Sequence, residues 1–193
     1  MEHVSDSKLL PYAMMNFAVI RRDDYYYVDK TSFIPLIERS DRFFFFNRPR
    51  RFGKSLTLNM LQHYYDVNAK DKFDALFGDL YIGQHPTKDR NSYLVLKLNF
   101  SLVSAELHNY RKGLDDHCSI VFDYFCDVYA DYLPEGIKEK MQAKDGAVNQ
   151  LEYLYMECAK VNRKIYLFID EYDHFTNTCL LYTSDAADDM QCV

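Results

Sequence analysis

The sequence predicts an α/β fold, in which helices flank a parallel sheet. Short runs of strand-type residues alternate with stretches of helical periodicity, and this alternation is typical of layered α/β domains. The apolar run at residues 165–169 is continuous, as expected of a strand that is covered on both faces in a parallel sheet. No internal repeat interrupts the order of these elements.

The first part of the chain contains two aromatic runs of strand type, residues 25–28 and 43–46. We expect the second run to be a buried strand. A short helix is predicted between them, with Thr31 or Ser32 as its cap. Pro35 is tolerated in its first turn, because the early N–H groups of a helix lack intrahelical partners.

A longer helix is predicted to begin at the Gly-Lys-Ser triplet, residues 53–55, because apolar side chains then recur at helical spacing through Tyr65. The local order is therefore strand, basic turn, helix. A short helix that ends near Gly78 and a loop over residues 85–92 come next. Leucines then alternate with other residues in "SYLVLKLNF", which predicts a strand.

The second half alternates in the same way. A helical pattern runs over residues 104–132 and is stopped by Pro134 and Gly136. A last helix over residues 147–161 leads into the apolar strand at residues 165–169. This strand ends directly before Asp170 and Glu171, so the carboxyl end of a predicted strand carries two acidic residues.

Composition excludes several classes of protein. The 193 residues are 48% hydrophobic, as in a globular domain, and the formal net charge of -6 argues against broad electrostatic binding of nucleic acid. The amino terminus is polar, and no apolar stretch reaches the roughly 18 residues that span a bilayer. We therefore expect a soluble, cytoplasmic protein with no membrane partner.

The five cysteines form no CxxC pair and no disulfide-dense pattern, so free thiols are expected. His117, Cys118 and Cys126 are the candidate ligands for a zinc site. Their spacing lacks the paired ligands of structural zinc, which favours a histidine on a helix surface and cysteines in the core.

The end of the chain differs from the rest in composition and pattern. Residues 179–193 read "CLLYTSDAADDMQCV", without a basic residue or a regular period, and residues 179–188 resemble the translation of a common sequencing adapter. We predict that residues 179–193 are not native and that residues 1–178 are the amino-terminal part of a longer domain. The alternative is a natural acidic tail.

The Gly-Lys-Ser triplet predicts a phosphate site of the P-loop type. Backbone N–H groups at the start of the helix attract phosphate oxygens, and Gly53 allows their close approach. Lys54 would contact the β- and γ-phosphates, and Ser55 would offer its hydroxyl to Mg²⁺. The usual pattern, GxxxxGK[ST], is incomplete, because Arg48 stands at the first glycine position.

A second corner of the chain, which is acidic, strengthens this hypothesis. An apolar strand that ends in Asp170 and Glu171 has the Walker B arrangement, in which the first carboxylate orients hydrated Mg²⁺ and the second polarises the attacking water. Both corners follow predicted strands, where open α/β sheets bind ligands. Two plainer interpretations remain: a solvated loop at residues 170–171, and a solubilising surface turn at Arg50 and Arg51.

Six segments of the chain carry a family resemblance: "LPYAMMNF", "YYYVDKTSFI", "FFFFNRPRRFGKSL", "LFGDLYIG", "RNSYLVLKLNFS" and "YLFIDEYDHFTN". Together they resemble the AAA-ATPase-like family of bacterial proteins, whose members often carry a carboxy-terminal region similar to PD-(D/E)xK nucleases. The resemblance covers residues 9–178. The departure at Ala13 and Met14, where relatives tend to have Pro-Tyr-Gly, affects a local turn only.

The resemblance implies a P-loop NTPase-type sheet, truncated here after the Walker B strand, that binds and hydrolyses Mg²⁺-ATP. Lys54 and Glu171 are the implied catalytic residues, and Ser55 and Asp170 the implied metal ligands. The segment at residues 27–31 could hold the base or simply cap a helix. The nucleotide-binding residues implied are Arg48, Pro49, Arg50, Arg51, Phe52, Gly53, Lys54 and Ser55.

The expected partners are ATP, the missing carboxy-terminal half of the protein and, through a nuclease-like region there, nucleic acid. The ATPase cycle would drive that effector. The alternatives are a nucleotide-dependent switch with little turnover, and direct nucleic-acid binding by Lys54 and the arginines before it. In such folds the strands beyond Walker B flank the P-loop strand, so we expect the chain alone to self-associate or fold in part, and to be inactive.

Overall fold

The computed structural model describes residues 8–40, 43–47, 52–103 and 110–171. The chain divides into two compact units, Met1–Tyr93 and Leu94–Val193. Within the described ranges no helix has both the length and the apolar character needed to cross a membrane.

The described residues form a mixed arrangement of helices with a small parallel two-stranded sheet, which is compatible with an α/β fold. The strands are β1, Tyr93–Asn99, and β2, Lys164–Asp170. The helices are α1, Phe17–Arg22; α2, Ile34–Arg39; α3, Lys54–Tyr65; α4, Phe73–Phe77; α5, Tyr81–Gln84; α6, Tyr110–Val128; α7, Ile137–Gln142; and α8, Gly146–Lys160.

The amino-terminal unit has an aromatic core. Helices α1, α3 and α4 meet around Phe17, Tyr64 and Phe77, which are all fully buried. The ring centroids of Phe17 and Phe77 lie 5.0 Å apart, and Tyr64 meets Phe77 edge-on at 5.6 Å. Arg21 of α1 donates from Nε to the carbonyl of Leu76 at 2.9 Å, which fixes α1 against α4. Buried aromatic rings contribute large apolar areas to such a core and so stabilise it.

The predicted helix around Pro35 is present, as a 3-10 turn over Thr31–Phe33 that continues into α2. Pro35 lies in the first turn of α2, as predicted. The side chain that caps this segment belongs to Asp29, whose Oδ1 accepts hydrogen bonds from the N–H of Thr31 at 2.8 Å and from its hydroxyl at 2.7 Å. The predicted cap by Thr31 or Ser32 is wrong, because the hydroxyl of Thr31 is turned inward to other partners.

The carboxy-terminal unit packs its sheet against helices. In β1, Leu94, Leu96 and Leu98 are buried while the intervening residues are more exposed, which confirms the predicted alternation. Helix α8 packs against α6, α7 and β2. Tyr129, just after α6, accepts at its hydroxyl from the N–H of Val95 at 2.9 Å and so ties this region to β1.

Most of the predicted helices are confirmed at nearly the expected bounds. Helix α3 begins at the Gly-Lys-Ser triplet, α4 ends before Gly78, and α8 matches the last predicted helix. Helix α6 covers residues 110–128 of the long pattern, and residues 104–109 lie outside the described residues. The sequence did not predict α5 or α7, which are short and lack a clear apolar period.

Two predicted strands are wrong. Residues 25–28 have no strand structure: the N–H of Tyr25 donates to Ile20 O and that of Tyr26 to Leu9 O, so these amides do not form a ladder. Residues 43–46 are not a strand either, and Phe43, Phe44 and Phe45 are exposed by 86%, 47% and 78%. A strand needs hydrogen-bonded neighbours, and among the described residues the sheet pairs only β1 with β2.

Strand β2 confirms the apolar run at residues 165–169 but not its full burial. Phe168 and Asp170 are buried, whereas Ile169 is 43% exposed. Continuous apolarity predicted a strand covered on both faces. At the carboxyl end of β2, one face of the strand is therefore covered and the face that carries Ile169 is partly open to solvent.

Candidate functional site

The start of α3 is the part of the predicted phosphate site that the structure describes. Gly53 is its N-cap residue, with φ 76° and ψ 21°, and the helix begins at the next residue. The N–H of Thr57 donates to Gly53 O at 2.9 Å, so the helical hydrogen-bond ladder starts here. No side chain caps this end within the described part of the chain. The first N–H groups of a helix have no partner within the helix itself, as at any helix start.

The left-handed conformation explains why position 53 is a glycine. A Cβ placed there would have nothing within 4 Å, so space is not the constraint. The constraint is the φ angle, because residues that have a Cβ atom lose conformational free energy when they adopt positive φ values. Gly53 thus sets the angle at which the chain enters α3.

The remaining residues of the predicted phosphate loop divide into two groups. Lys54 and Ser55 are half-buried in the first turn of α3, and Phe52 is 62% exposed. Arg48, Pro49, Arg50 and Arg51 lie outside the described residues, so their part in the site stays a prediction.

The acidic corner lies at the carboxyl end of β2, as predicted. Asp170 is the last residue of the strand and is only 4% exposed. Its Oδ1 accepts a hydrogen bond from the N–H of Glu171 at 3.0 Å. Glu171 has a φ of 54°, an uncommon conformation for a residue with a side chain. Two carboxylates thus follow one another where β2 ends.

The two corners belong to different units. Lys54 and Ser55 lie in the amino-terminal unit, and Asp170 and Glu171 in the carboxy-terminal one. Their convergence around one triphosphate therefore stays a prediction.

An apolar cleft of about 260 Å³ opens beside α3 in the amino-terminal unit. Its walls include Phe33, Leu36, Phe44 and Phe52, and Thr57 and Met60 of α3 line it as well. Sequence reasoning missed this cleft because it treated residues 43–46 as a buried strand. The apolar residues of α2, followed closely by the phenylalanines at residues 43–46, are the sequence signal that could have indicated this cleft.

The segment at residues 27–31 was predicted either to hold a base or to cap a helix, and its contacts are structural. Asp29 Oδ2 also accepts from the N–H of Tyr81 at 2.8 Å, at the start of α5. Burial raises the pKa of Asp29, but hydrogen bonds from Thr31 and Tyr81 and the charge of Arg21 outweigh it, so the pKa lies below its usual value. Burial also raises the pKa of Tyr27 to about 12.

The cysteines within the described residues behave as core residues. Cys118, Cys126 and Cys158 are buried and free, and burial raises their thiol pKa values to about 11, 12 and 11. Thiols of this kind are protonated at neutral pH and therefore poor nucleophiles and metal ligands.

Part of the chain is similar to a curated protein. A curated protein of Azotobacter chroococcum mcd 1, described as an uncharacterized protein in the vnfD 5'region, is 52% identical over 63 residues, which are 32% of this chain and 12% of that protein. The match thus spans about an eighth of the relative's length. No solved structure matches the chain.

A family model described as "Predicted AAA-ATPase" matches residues 11–192. This range includes most of the predicted non-native tail, whose origin stays a prediction. Nearly all of the chain is covered by the match, and the description is that of a nucleotide-binding, ATPase-like family. The chain therefore belongs to the predicted AAA-ATPase family.

Proposed function

We propose that this chain binds the triphosphate of ATP at the start of α3 and contributes to its Mg²⁺-dependent hydrolysis. The observation that carries the proposal is the entry into α3: Gly53 is left-handed, and Lys54 and Ser55 occupy the first turn of a 12-residue helix. Membership of the predicted AAA-ATPase family supports the same substrate.

Each residue of this corner has a distinct task in the proposal. The outward N–H groups of the first turn donate to phosphate oxygens, and the helix dipole adds favourable positive potential. Lys54 supplies a full positive charge for the β- and γ-phosphates. Ser55 offers its hydroxyl oxygen as a metal ligand, while Arg48, Arg50 and Arg51 add charge next to the site.

Asp170 and Glu171 take the acidic roles. Carboxylate oxygens are the ligands that Mg²⁺ prefers, and the nearly complete burial of Asp170 fits a group that a cation would stabilise. Bound Mg²⁺ would neutralise charge that develops on the phosphates. Glu171 would orient a water molecule and accept its proton.

The effector is also a proposal. The full-length protein would couple this cycle to a further region, for which a nuclease-like module is our candidate, as implied by the resemblance noted above. The second candidate, a nucleotide-dependent switch with little turnover, differs in the use of Glu171. The presence of Glu171 beside Asp170 favours turnover, because a second carboxylate can accept a proton from the attacking water.

The decisive test is Lys54→Ala, with Lys70→Ala as its matched control because Lys70 is an exposed lysine in the same unit. Isothermal titration calorimetry with Mg²⁺-ATP should show binding that is weakened at least about tenfold by the first change, since a charge-assisted phosphate contact is lost. The control should bind as the unaltered chain does. Equal affinity of both variants would refute the phosphate site.

Hydrolysis and switching are separated by Glu171→Gln in the longest available form of the protein. If Glu171 activates water, this variant should still bind ATP and should retain it unhydrolysed. Chromatography of the bound nucleotide measures this. A switch with little turnover would retain ATP in the unaltered protein as well.

A further inference from the structure

We infer that the hydroxyl of Tyr129 closes the outer edge of β1 and so prevents the addition of a strand from a second copy of the chain. The outer edge is the edge of β1 that faces away from β2. The inference concerns an interaction surface in the carboxy-terminal unit. It goes beyond the proposed ATPase function, because no nucleotide takes part in it.

Strand β1 has an edge at which a further strand could pair. Among the described residues the sheet joins β1 to β2 alone, and an isolated parallel bridge to Asp66 engages Tyr93, the first residue of β1. The backbone groups of successive strand residues point to opposite edges. Those of Val95 and Lys97 therefore lie on the same edge. A row of such groups without partners is a template for an added strand.

Tyr129 occupies this edge at the position of Val95. Its hydroxyl oxygen accepts a hydrogen bond from the N–H of Val95 at 2.9 Å, and its hydroxyl group donates to Val95 O at 3.4 Å. The N–H of Val95 is thus bonded to a side chain and not to β2, which identifies this edge as the outer one. One hydroxyl engages both of the backbone groups with which an added strand would pair at Val95.

The ring that carries this hydroxyl has little freedom to move. Tyr129 is almost fully buried and lies against the buried ring of Phe125, with ring centroids 4.9 Å apart. The N–H of Tyr129 also donates to Phe125 O at 3.1 Å. Since the ring is held by packing and by its backbone, the edge stays closed without the entropic cost of ordering an exposed side chain.

The sequence of β1 explains why its edge needs protection. The strand reads "YLVLKLN", with alternating leucines, no proline, no glycine and a single charge. Segments of this composition pair readily with copies of themselves. The one charged residue, Lys97, is exposed, and an exposed lysine opposes edge-to-edge pairing. The hydroxyl at Val95 and the charge at Lys97 thus protect two adjacent positions of the same edge.

A second copy of the chain is the strand donor that this edge excludes. Every molecule in solution carries the same β1 with the same outer edge. Two such edges can pair about a two-fold axis, because the same surface on both partners is then self-complementary. Removal of the hydroxyl should therefore create an interface between identical strands.

Tyr129→Phe tests the inference, because it removes the hydroxyl and keeps the ring. At a concentration at which light scattering shows a monomer, the Val95 amide of this variant should exchange its hydrogen about two- to tenfold faster, since one hydrogen bond is lost. At higher concentration the variant should associate at least about tenfold more strongly than the unaltered chain. Exchange at Val95 and Lys97 should then slow, as the strands pair.

Two further tyrosines provide matched controls. Tyr124→Phe makes the same chemical change on the exposed face of α6. Tyr64→Phe removes a buried hydroxyl that is bonded to Thr87 in the amino-terminal unit, and so controls for a general loss of stability. Light scattering over a range of concentrations should show both controls associating as the unaltered chain does.

Three results would overturn the inference. The first is association of Tyr129→Phe that is no stronger than that of the unaltered chain. The second is stronger association without slower exchange in β1, which would place the contact on another surface. The third is an equal increase in Tyr64→Phe, which would attribute the effect to lost stability.

The unaltered chain provides a measurement for the case in which Tyr129→Phe fails to fold. Because the partner of the Val95 amide lies within the same molecule, this amide should be protected from exchange to the same extent at monomer concentration and at high concentration. Residue-resolved hydrogen exchange by NMR measures this. Protection that appears only as the concentration rises would show that the edge is open, and would overturn the inference.

Discussion

At the scale of single residues, backbone conformation carries as much information as side-chain chemistry. Gly53 and Glu171 both have positive φ values, and each stands at a corner proposed to meet the nucleotide. Glycine accepts such a conformation without cost, whereas glutamate does not. The entry to α3 is therefore relaxed and the exit from β2 is strained.

Gly53→Ala tests the role of the left-handed glycine at the start of α3, with Gly136→Ala as a matched control. Gly136 is the N-cap residue of α7 with φ 71°, and an added Cβ would meet only Glu139 Oε2, at 3.9 Å. Each change should cost about 1–2 kcal/mol in the free energy of unfolding, because alanine is disfavoured in the left-handed region. Urea denaturation measures this cost.

Only Gly53→Ala should also weaken binding of Mg²⁺-ATP, measured by calorimetry on the folded variants. If Gly136→Ala weakens it equally, the effect comes from general loss of stability and the phosphate site is not at α3.

At the scale of elements, short polar contacts decide where the helices of the amino-terminal unit begin. Thr31 is fully buried, and its hydroxyl donates to Asp29 while accepting from the N–H of Ile82 at 3.1 Å. One side chain thus serves two helices that are about fifty residues apart in the chain. The same contacts position α2, which forms a wall of the cleft.

Thr31→Val should destabilise the amino-terminal unit. Valine keeps the shape but leaves the buried N–H of Ile82 without its acceptor, which costs about 1–3 kcal/mol. Ser32→Ala is the control, because Ser32 is exposed next to it. Urea titration followed by circular dichroism should show a lower midpoint for the first variant only. Coincident midpoints would show that this hydroxyl has no structural role.

At the scale of the whole molecule, exposed aromatic surface is the main feature. Phe43 and Phe45 are 86% and 78% exposed, and they adjoin the rings that line the cleft. Contiguous apolar surface of this kind promotes association between protein molecules. The expectation that the chain self-associates on its own was made from the order of strands in related folds. This expectation stays a prediction, and the exposure of these rings gives it a physical cause.

Replacement of Phe43 and Phe45 together by lysine should reduce self-association, because charge replaces apolar surface. Size-exclusion chromatography with light scattering over a range of concentrations should show a smaller shift toward larger species than in the unaltered chain. Tyr12→Lys is the control, as Tyr12 is 94% exposed and is not among the cleft residues. An equal reduction by the control would attribute the effect to net charge.

The sequence by itself determined the elements that depend on local patterns. The start of α3 at the Gly-Lys-Ser triplet, the alternation in β1 and the strand that ends at Asp170 were all predicted, because periodicity, glycine and short-range hydrogen bonding specify them within a few residues. Tertiary structure decided what depends on distant partners. It placed residues 43–46 outside the sheet, directed Asp29 to Tyr81 and opened the cleft beside α3, since strand pairing and burial require neighbours that the local sequence does not name.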